Sequence, residues 1–568
     1  MTEKREEHKI AGAQYKISDI LSKTFDFVIP NYQRPYSWTT EEAGELFDDL
    51  QEFLADQKPT GGDDPYFLGS IVLVKKETLP RAEVIDGQQR LTTLTILMSA
   101  LVDKLSGEKA AGFAKYINEP GDVVEERLPK PRLTLRKRDN EFFHNHIQTE
   151  GKLADLIVRD TAQHTGPQAN IILNAKLFVS RLEGLSEEAA FEFGKFVVNH
   201  CYLVAVSTPS MQSAYRIFSV LNDRGLDLLP TDILKSDIIG KIPEAEQDAY
   251  TKKWEDTEDA LGRDPFSDVV SHVRMIYRKS KLKKTVLDEF REFVLSEERQ
   301  PKALIDNVLC PYADAFQTIT EASYECTGDA EAVNSLLRWL NRIDNADWIP
   351  PAMVYLKKND GEPEKLVEFF KHLERLAASM FIRRCSINDR IDRYGKLIEV
   401  IQSTDDGILF DDASPLMLTP EEATKTVDLL ERDVYTMNSR VRTYVMLRLD
   451  SWLSDGAARY DHKRLTVEHV LPQTVDDGSE WATTWPDEEK RKKWVHRLGN
   501  LLLLTRNKNS SASNWDFDVK KTKYFTGRSG VSSFAITTTV LEKDEWTESV
   551  VEQRQEEMTA KLKSGWDL

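Results

Sequence analysis

The stretch LTVEHVLPQ (465–473), followed after a loop by LGNLLLLTRNKNSSASN (498–514), constrains this chain more than any other. Leu465 and Val467 begin a short apolar strand that carries Glu468 and His469 to its end. Pro472 then stops it, because proline cannot donate to a sheet ladder. A second, strongly apolar strand is expected over Asn500 to Thr505, and an Asn- and Ser-rich segment then leads towards a helix. One His, one carboxylate and two Asn residues therefore converge on a strand end, a hairpin and a helix.

That residue mix suits phosphodiester hydrolysis, which needs a base for water and a cation to neutralise the leaving oxygen. His469 has the ordinary pKa of such a base. Glu468 faces the opposite side of a regular strand, so a turn at the strand end is needed to bring both to one ion. Asn509 offers a hard amide oxygen that suits Mg²⁺ or Mn²⁺ better than zinc. Asn500 is expected to orient the imidazole through a hydrogen bond. The competing reading is a buried strand with a hydrogen-bonded His and an Asn-rich turn.

The pattern EHxxPQ, then GN before a strand, then Asn509 nine positions beyond Asn500, resembles the HNH (ββα-metal) nucleases, including the HNH domain of RNA-guided CRISPR nucleases. The resemblance covers the last hundred residues or so. It implies His469 as general base, Glu468 and Asn509 as metal ligands and Asn500 as the positioning residue. Asn509 stands where many HNH enzymes have a final His.

At 568 residues the chain is too long for one core. The expected division is 1–240, 241–450 and 451–568. No stretch approaches the apolar length of a membrane span, and the charged start MTEKREEHK lacks a signal-peptide core. The four cysteines (Cys201, Cys310, Cys326, Cys385) form no CxxC, which argues against a zinc knuckle or a disulfide framework. A cytoplasmic location is expected. A net charge of −19 argues against indiscriminate DNA binding. Basic residues nonetheless cluster at Pro129 to Asp139, Arg274 to Lys284, Lys490 to Arg497 and Lys520 to Arg528, and the last two flank the hairpin. An acidic body with local basic grooves suits a protein that engages DNA only under a condition.

In the N-terminal part, FDFVIPNYQRPYSWTTEE reads as a strand end, a turn and a helix start with Glu41 and Glu42 in its first turn. Tyr32, Gln33, Arg34, Tyr36 and Trp38 interleave aromatics with an Arg and an amide. Such a set can stack a base and grip its phosphate, or simply pack the helix. YFLGSIVLVKK is a buried strand, AEVI a short strand, Asp86-Gly87 a tight turn, and Gln88 begins a helix with Leu91, Leu94, Leu97 and Leu101 at helical spacing. DGQQR thus sits where a strand feeds a helix N-terminus, a natural phosphate site. Arg90 can clamp phosphate oxygens, Asp86 can hold a cation or cap the helix, and Gln88 and Gln89 can bond a base or ribose. No GxxxxGK[ST] occurs, so any nucleotide site here is not a P-loop.

IPxYQRPYSW followed by FLGSIVL and VIDGQQRLTTL is similar to the N-terminal domain of the GmrSD class of modification-dependent (type IV) restriction enzymes. That domain also occurs in the phosphorothioate-sensing effector of the Ssp defence system. The resemblance implies a ParB/sulfiredoxin-like core, NTP binding and hydrolysis (GTP or ATP) and a C-terminal HNH partner. It implies Asp86, Gly87, Gln88, Gln89 and Arg90 as the nucleotide or sensor site, with Tyr32, Gln33, Arg34 and Tyr36 lining the same or an adjoining pocket. The family's IFxxLNxRGxxL segment brings Asn222 and Arg224 to that site. Helix–turn–helix structure accounts for the segment equally well without the resemblance.

From about Pro243 to Leu449 the pattern is almost entirely helical, a scaffold between two functional ends. Arg383 and Arg384 are a pair that can face DNA or solvent. After the hairpin come a β-prone stretch, SSFAITTTVL, and a charged helix over Lys543 to Leu562. Of the nearby aromatics, Trp494 and Trp515 are expected in the core. The fold class is therefore α+β and multidomain: a ParB/sulfiredoxin-like N-terminal domain, a largely helical middle and a ββα-metal C-terminal domain. The expected function is an NTP-regulated, metal-dependent DNA endonuclease in anti-phage defence, acting on modified or phage DNA. A homodimer is left open, and no membrane is involved. The rivals are a nucleotide-regulated DNA-binding protein that does not cut and an RNA-directed nuclease.

Overall fold

A computed structural model describes residues 10–57, 64–121, 126, 128–210, 213–214, 217, 229–403, 406–454, 465–505, 514–525 and 534–568. The chain divides into two compact units, Met1–Ala260 and Leu261–Leu568. Both mix helices with small sheets, as the α+β expectation requires.

The first unit is built on a mixed six-stranded sheet. Its strands are β1 (Ala11–Lys16), β2 (Asp26–Val28), β3 (Tyr66–Lys75), β4 (Arg81–Asp86), β5 (Leu133–Thr134) and β6 (Cys201–Thr208), in the order β1-β6-β3-β4-β2-β5. β3 pairs antiparallel with β4 and parallel with β6, so the strand that leads into DGQQR lies inside the sheet. Helix α1 (Thr40–Gln57) starts at SWTTEE, where Glu42 accepts bonds from both the backbone and the hydroxyl of Thr39. Helix α2 (Gln88–Lys104) is buried from Gln88 to Leu101 except at Arg90. A helix enclosed on all sides must carry apolar residues all round, and Leu91, Leu94, Ile96, Leu97, Met98 and Leu101 do so. Each such side chain contributes about 1.5–3 kcal/mol by burial. Helix α3 (Gly166–Glu183) packs on α2, and helix α4 (Glu187–His200) leads into β6. Helices α5 (Pro230–Ile239) and α6 (Glu244–Leu261) follow. Pro230 takes the first turn of α5, and the Asp232 carboxylate accepts the Leu229 N–H at 3.0 Å.

The second unit is helical up to the hairpin, as its periodicity predicts. Helix α7 (Pro363–Ile382) carries Glu374, on which Tyr444 and Arg448 of helix α8 (Ser439–Leu453) and Trp566 near the C-terminus converge at 2.6–3.2 Å. The hairpin pairs β7 (Leu465–His469) antiparallel with β8 (Leu501–Thr505), with His469 opposite Leu501 and Glu468 opposite Leu502. Leu501 to Leu504 are all 0 % exposed, which is why β8 is a continuous apolar run and not an alternating one. Helix α9 (Phe517–Phe525) and helix α10 (Glu548–Trp566) complete the unit.

The tail differs from its β-prone reading. Ala535–Thr538 is a single helical turn. Asp450 accepts the Ile536 N–H at 2.7 Å and the Thr537 hydroxyl donates to the Leu503 carbonyl at 2.6 Å, so side-chain bonds to distant segments hold this turn where a strand was expected. The charged helix begins at Glu548, beyond Lys543. Arg383 is held by Glu422 at 3.2 Å.

Candidate active site and nucleotide site

In the second unit the hairpin delivers its two chemical residues to opposite sides, as strand alternation demands. Glu468 turns into the core, where Lys520 of α9 donates to its Oε1 at 2.9 Å and the Tyr524 hydroxyl lies 3.4 Å from the same oxygen. The Lys520 ammonium, 1 % exposed, also donates to the His469 carbonyl at 2.6 Å. One buried cation therefore fixes both the carboxylate and the strand end. Burial pushes the Glu468 carboxyl up and the Lys520 ammonium down, and each opposes the other's shift.

The His469 imidazole lies among other side chains. Its Nε2 is 3.2 Å from Nδ1 of His496, and its Nδ1 is 3.3 Å from the Gln473 amide nitrogen. The Tyr435 ring meets it at 60° with centroids 4.0 Å apart. Burial first, then His496, Lys520 and Arg442, push its pKa down to about 3, so the ring is neutral at working pH. A neutral imidazole is the form that accepts a proton, but so low a pKa makes the ring a weak base as it stands.

Asn500 does not make the bond to the imidazole expected of it. Its side chain, 0 % exposed, accepts from the Leu471 N–H (2.7 Å) and the Trp546 indole (3.0 Å) and donates to the carbonyls of Leu471 and Val495. A buried amide must satisfy both its donors and its acceptor, and backbone groups on either side of the hairpin do this together with the Trp546 indole. Asn500 thus holds the turn after His469. Gly499 beside it is needed for close approach, because a Cβ would overlap the Val551 carbonyl of α10.

Asn509 lies outside the described residues. Among the described residues, no group of three or more His, Cys, Asp or Glu side chains is placed to hold a metal ion. Trp494 and Tyr524 are core residues, whereas Trp515 is 56 % exposed, against the expectation of a core position.

In the first unit Gly87 starts α2 at φ 92°, where a Cβ would overlap the Ile71 side chain, so only glycine fits the turn. Asp86 does not cap the helix: the N-cap residue is Gly87, without a side-chain bond. Burial pushes the Asp86 carboxyl up, opposed by the bond it accepts from the Gly87 N–H and then by the charges of Arg90 and Arg34. Arg90 lies against Gly69 and donates to the Ser70 carbonyl at 3.0 Å.

The amides of the motif are used by the backbone. Gln89 accepts from the N–H groups of Ser37 (2.8 Å) and Trp38 (3.3 Å) and donates to the Pro35 carbonyl (3.0 Å), fastening the QRPYSW loop to α2. Gln33 donates to the Ile85 carbonyl at 3.1 Å, and its own carbonyl accepts from Arg136 at 3.2 Å. Tyr36 is buried with its hydroxyl on Thr93 and Asn174, and burial pushes its pKa up to about 12. Tyr32 and Arg34 are half-buried, and Gln88 is buried at the start of α2. Asn222 and Arg224 lie outside the described residues. Beside the loop, Glu255 of α6 holds Arg136 (2.7 Å) and Lys235 of α5 (2.9 Å), which accounts for Arg136 of the basic cluster Pro129 to Asp139.

Family models match both units. The GmrSD restriction endonuclease N-terminal domain matches residues 17–239, and the GmrSD restriction endonuclease C-terminal domain matches residues 419–561. The chain belongs to the GmrSD restriction endonucleases. No curated protein matches it. The family makes this GmrSD-type chain a DNA endonuclease of restriction, with DNA as its substrate. No described helix is long and apolar enough to cross a membrane.

Sequence reasoning passed over His496, Tyr435 and the inward role of Lys520. Lys520 carried a signal: it shares one helical stripe with Phe517 and Tyr524, at i−3 and i+4, so it falls on the buried face. Nothing in the spacing pairs His496 with His469.

Proposed function

We propose that the chain is a metal-dependent HNH-type DNA endonuclease whose cutting is gated by a nucleoside triphosphate at the DGQQR turn, in response to modified or phage DNA. The observation that carries the nuclease type is the His469 environment. A neutral imidazole ends one strand of a β–β–α arrangement, and a lysine of the helix pins that strand end. His469 takes the proton of a water as it attacks the phosphate in line, leaving 5′-phosphate and 3′-hydroxyl ends.

A hard divalent cation, Mg²⁺ or Mn²⁺, suits a carboxylate and an amide oxygen, so Asn509 and Glu468, the latter once released from Lys520 and turned to the His469 side, would hold it. Lys520 and Tyr524 both bond Oε1 of Glu468, which leaves Oε2 for the ion, and the ion would compete with the Lys520 ammonium for the carboxylate. Such an ion would neutralise charge on the leaving oxygen. Until the ion binds, Lys520 fixes the carboxylate, and Asn500 keeps the following turn in place.

At the N-terminal turn, Arg90 and the free N–H groups of α2 bind phosphate, and Asp86 holds a cation or water. The test is plasmid cleavage with Mg²⁺ or Mn²⁺, with and without GTP or ATP, on unmodified and modified DNA. Wild type is expected to cut, and Arg90→Ala to lose the nucleotide dependence. A wild type that binds but cuts no DNA, alone or beside labelled RNA, would replace this reading with a nucleotide-regulated binding protein.

A further inference from the structure

His496 has no role in the chemistry above, yet its Nδ1 faces Nε2 of His469 at 3.2 Å. The protonation of the pair follows from its neighbours. The Gln473 amide nitrogen, 3.3 Å from Nδ1 of His469, can only donate, so that Nδ1 accepts and carries no proton. A neutral His469 then carries its proton on Nε2 and donates it to His496.

His496 is itself held firmly. Its ring lies at 11° to the Tyr435 ring with centroids 5.4 Å apart, and its carbonyl accepts the Tyr435 N–H at 3.0 Å. Arg442 stacks beneath Tyr435 at 4.1 Å and donates to the Tyr435 carbonyl. The half-buried His496 ring cannot swing away without disturbing Tyr435, which also touches His469.

We propose that His496 is the positioning residue of His469: by accepting the Nε2 proton it leaves Nδ1 as the nitrogen that takes the proton from the attacking water. This rests on His469 being the base. In the step, the water displaces the Gln473 amide and its O–H bond breaks. The proton goes to Nδ1, the new O–P bond forms, and the 3′ oxygen leaves and takes a proton from solvent. The imidazolium so formed keeps its Nε2–H bond to His496.

Two substitutions separate hydrogen bonding from stacking. His496→Phe keeps a ring on Tyr435 and removes the acceptor. His496→Asn gives up the ring and places an amide oxygen near the lost Nδ1. The expected result is a kcat about 10- to 100-fold lower for His496→Phe, with most of the loss recovered in His496→Asn and thermal melting unchanged in both. Nitrogen-15 NMR of His469 in the metal-free protein carrying Gln473→Leu, where His496 alone sets the tautomer, should show Nε2–H, and a mixture once His496→Phe is added. That spectrum does not depend on cleavage. Wild-type turnover in His496→Phe, or an unchanged tautomer when His496→Phe is added to Gln473→Leu, would overturn the proposal. Undiminished cutting by His469→Ala would instead overturn the assignment of the base, whatever the tautomer.

Discussion

In the N-terminal unit Asp86, Gly87 and Arg90 lie on one continuous strand, turn and helix, and Arg90 finds its partner on the neighbouring strand at Ser70. In the C-terminal unit His469 is set by residues far apart in the chain: Tyr435, Gln473, His496 and Lys520. Both sites use amides the same way. Gln33 and Gln89 in one, and Asn500 in the other, are buried fasteners between backbone segments. The comparison teaches that these motif amides build the frame, which leaves the charged or titratable residues beside them for the proposed chemistry. What differs is whether the frame is local.

The largest expected effect on the fold is at Lys520. Replacing it by Met strands a buried carboxylate, and the protein should lose about 3–5 kcal/mol in denaturant unfolding. Adding Glu468→Gln should recover a large part of that loss. A neutral Lys520→Met would mean that the C-terminal frame does not depend on this distant pair.

Next come the amides. Gln89→Ala and Asn500→Ala should each cost about 1–3 kcal/mol by leaving buried backbone groups unpaired. Gln89→Ala should still bind nucleotide once folded. If it melts like wild type and binds none, Gln89 is a ligand and the parallel between the sites breaks.

The pH dependence comes last, and its sign differs between the sites. Below about pH 6.5 an unfolded His469 takes up a proton that the folded chain refuses until about pH 3. Stability therefore falls as pH is lowered through that window, and His469→Gln should flatten the slope. Asp86 acts oppositely. Its folded pKa is raised, so its share of stability rises as pH falls through that raised value, and is fully present below its unfolded pKa of 3.8. Asp86→Asn should remove that component. Melting temperatures across pH 3–7 check both signs.

The same contrast explains what the sequence disclosed. The β4–turn–α2 order, the glycine at 87 and the buried Leu series of α2 follow from period and turn chemistry. So do the two hairpin strands, ending at His469 and beginning just after Asn500. The amide roles were not legible, because a Gln or Asn that bonds a ligand and one that bonds a distant carbonyl look alike in sequence. Nor was the His469–His496 contact, since it depends on how the segment before β8 folds back beside Tyr435. Trp515 was misjudged because an aromatic outside a helical period carries no facing signal.

The most direct test of the central claim is DNA cleavage by wild type and His469→Ala under one set of metal, nucleotide and DNA conditions. Product ends and thermal melting should be measured alongside. Cleavage is predicted to fall by about 10²–10⁴-fold in the variant, with wild type leaving 5′-phosphate ends and the variant remaining folded. Equal cleavage by a folded His469→Ala would place the catalytic centre elsewhere in the chain.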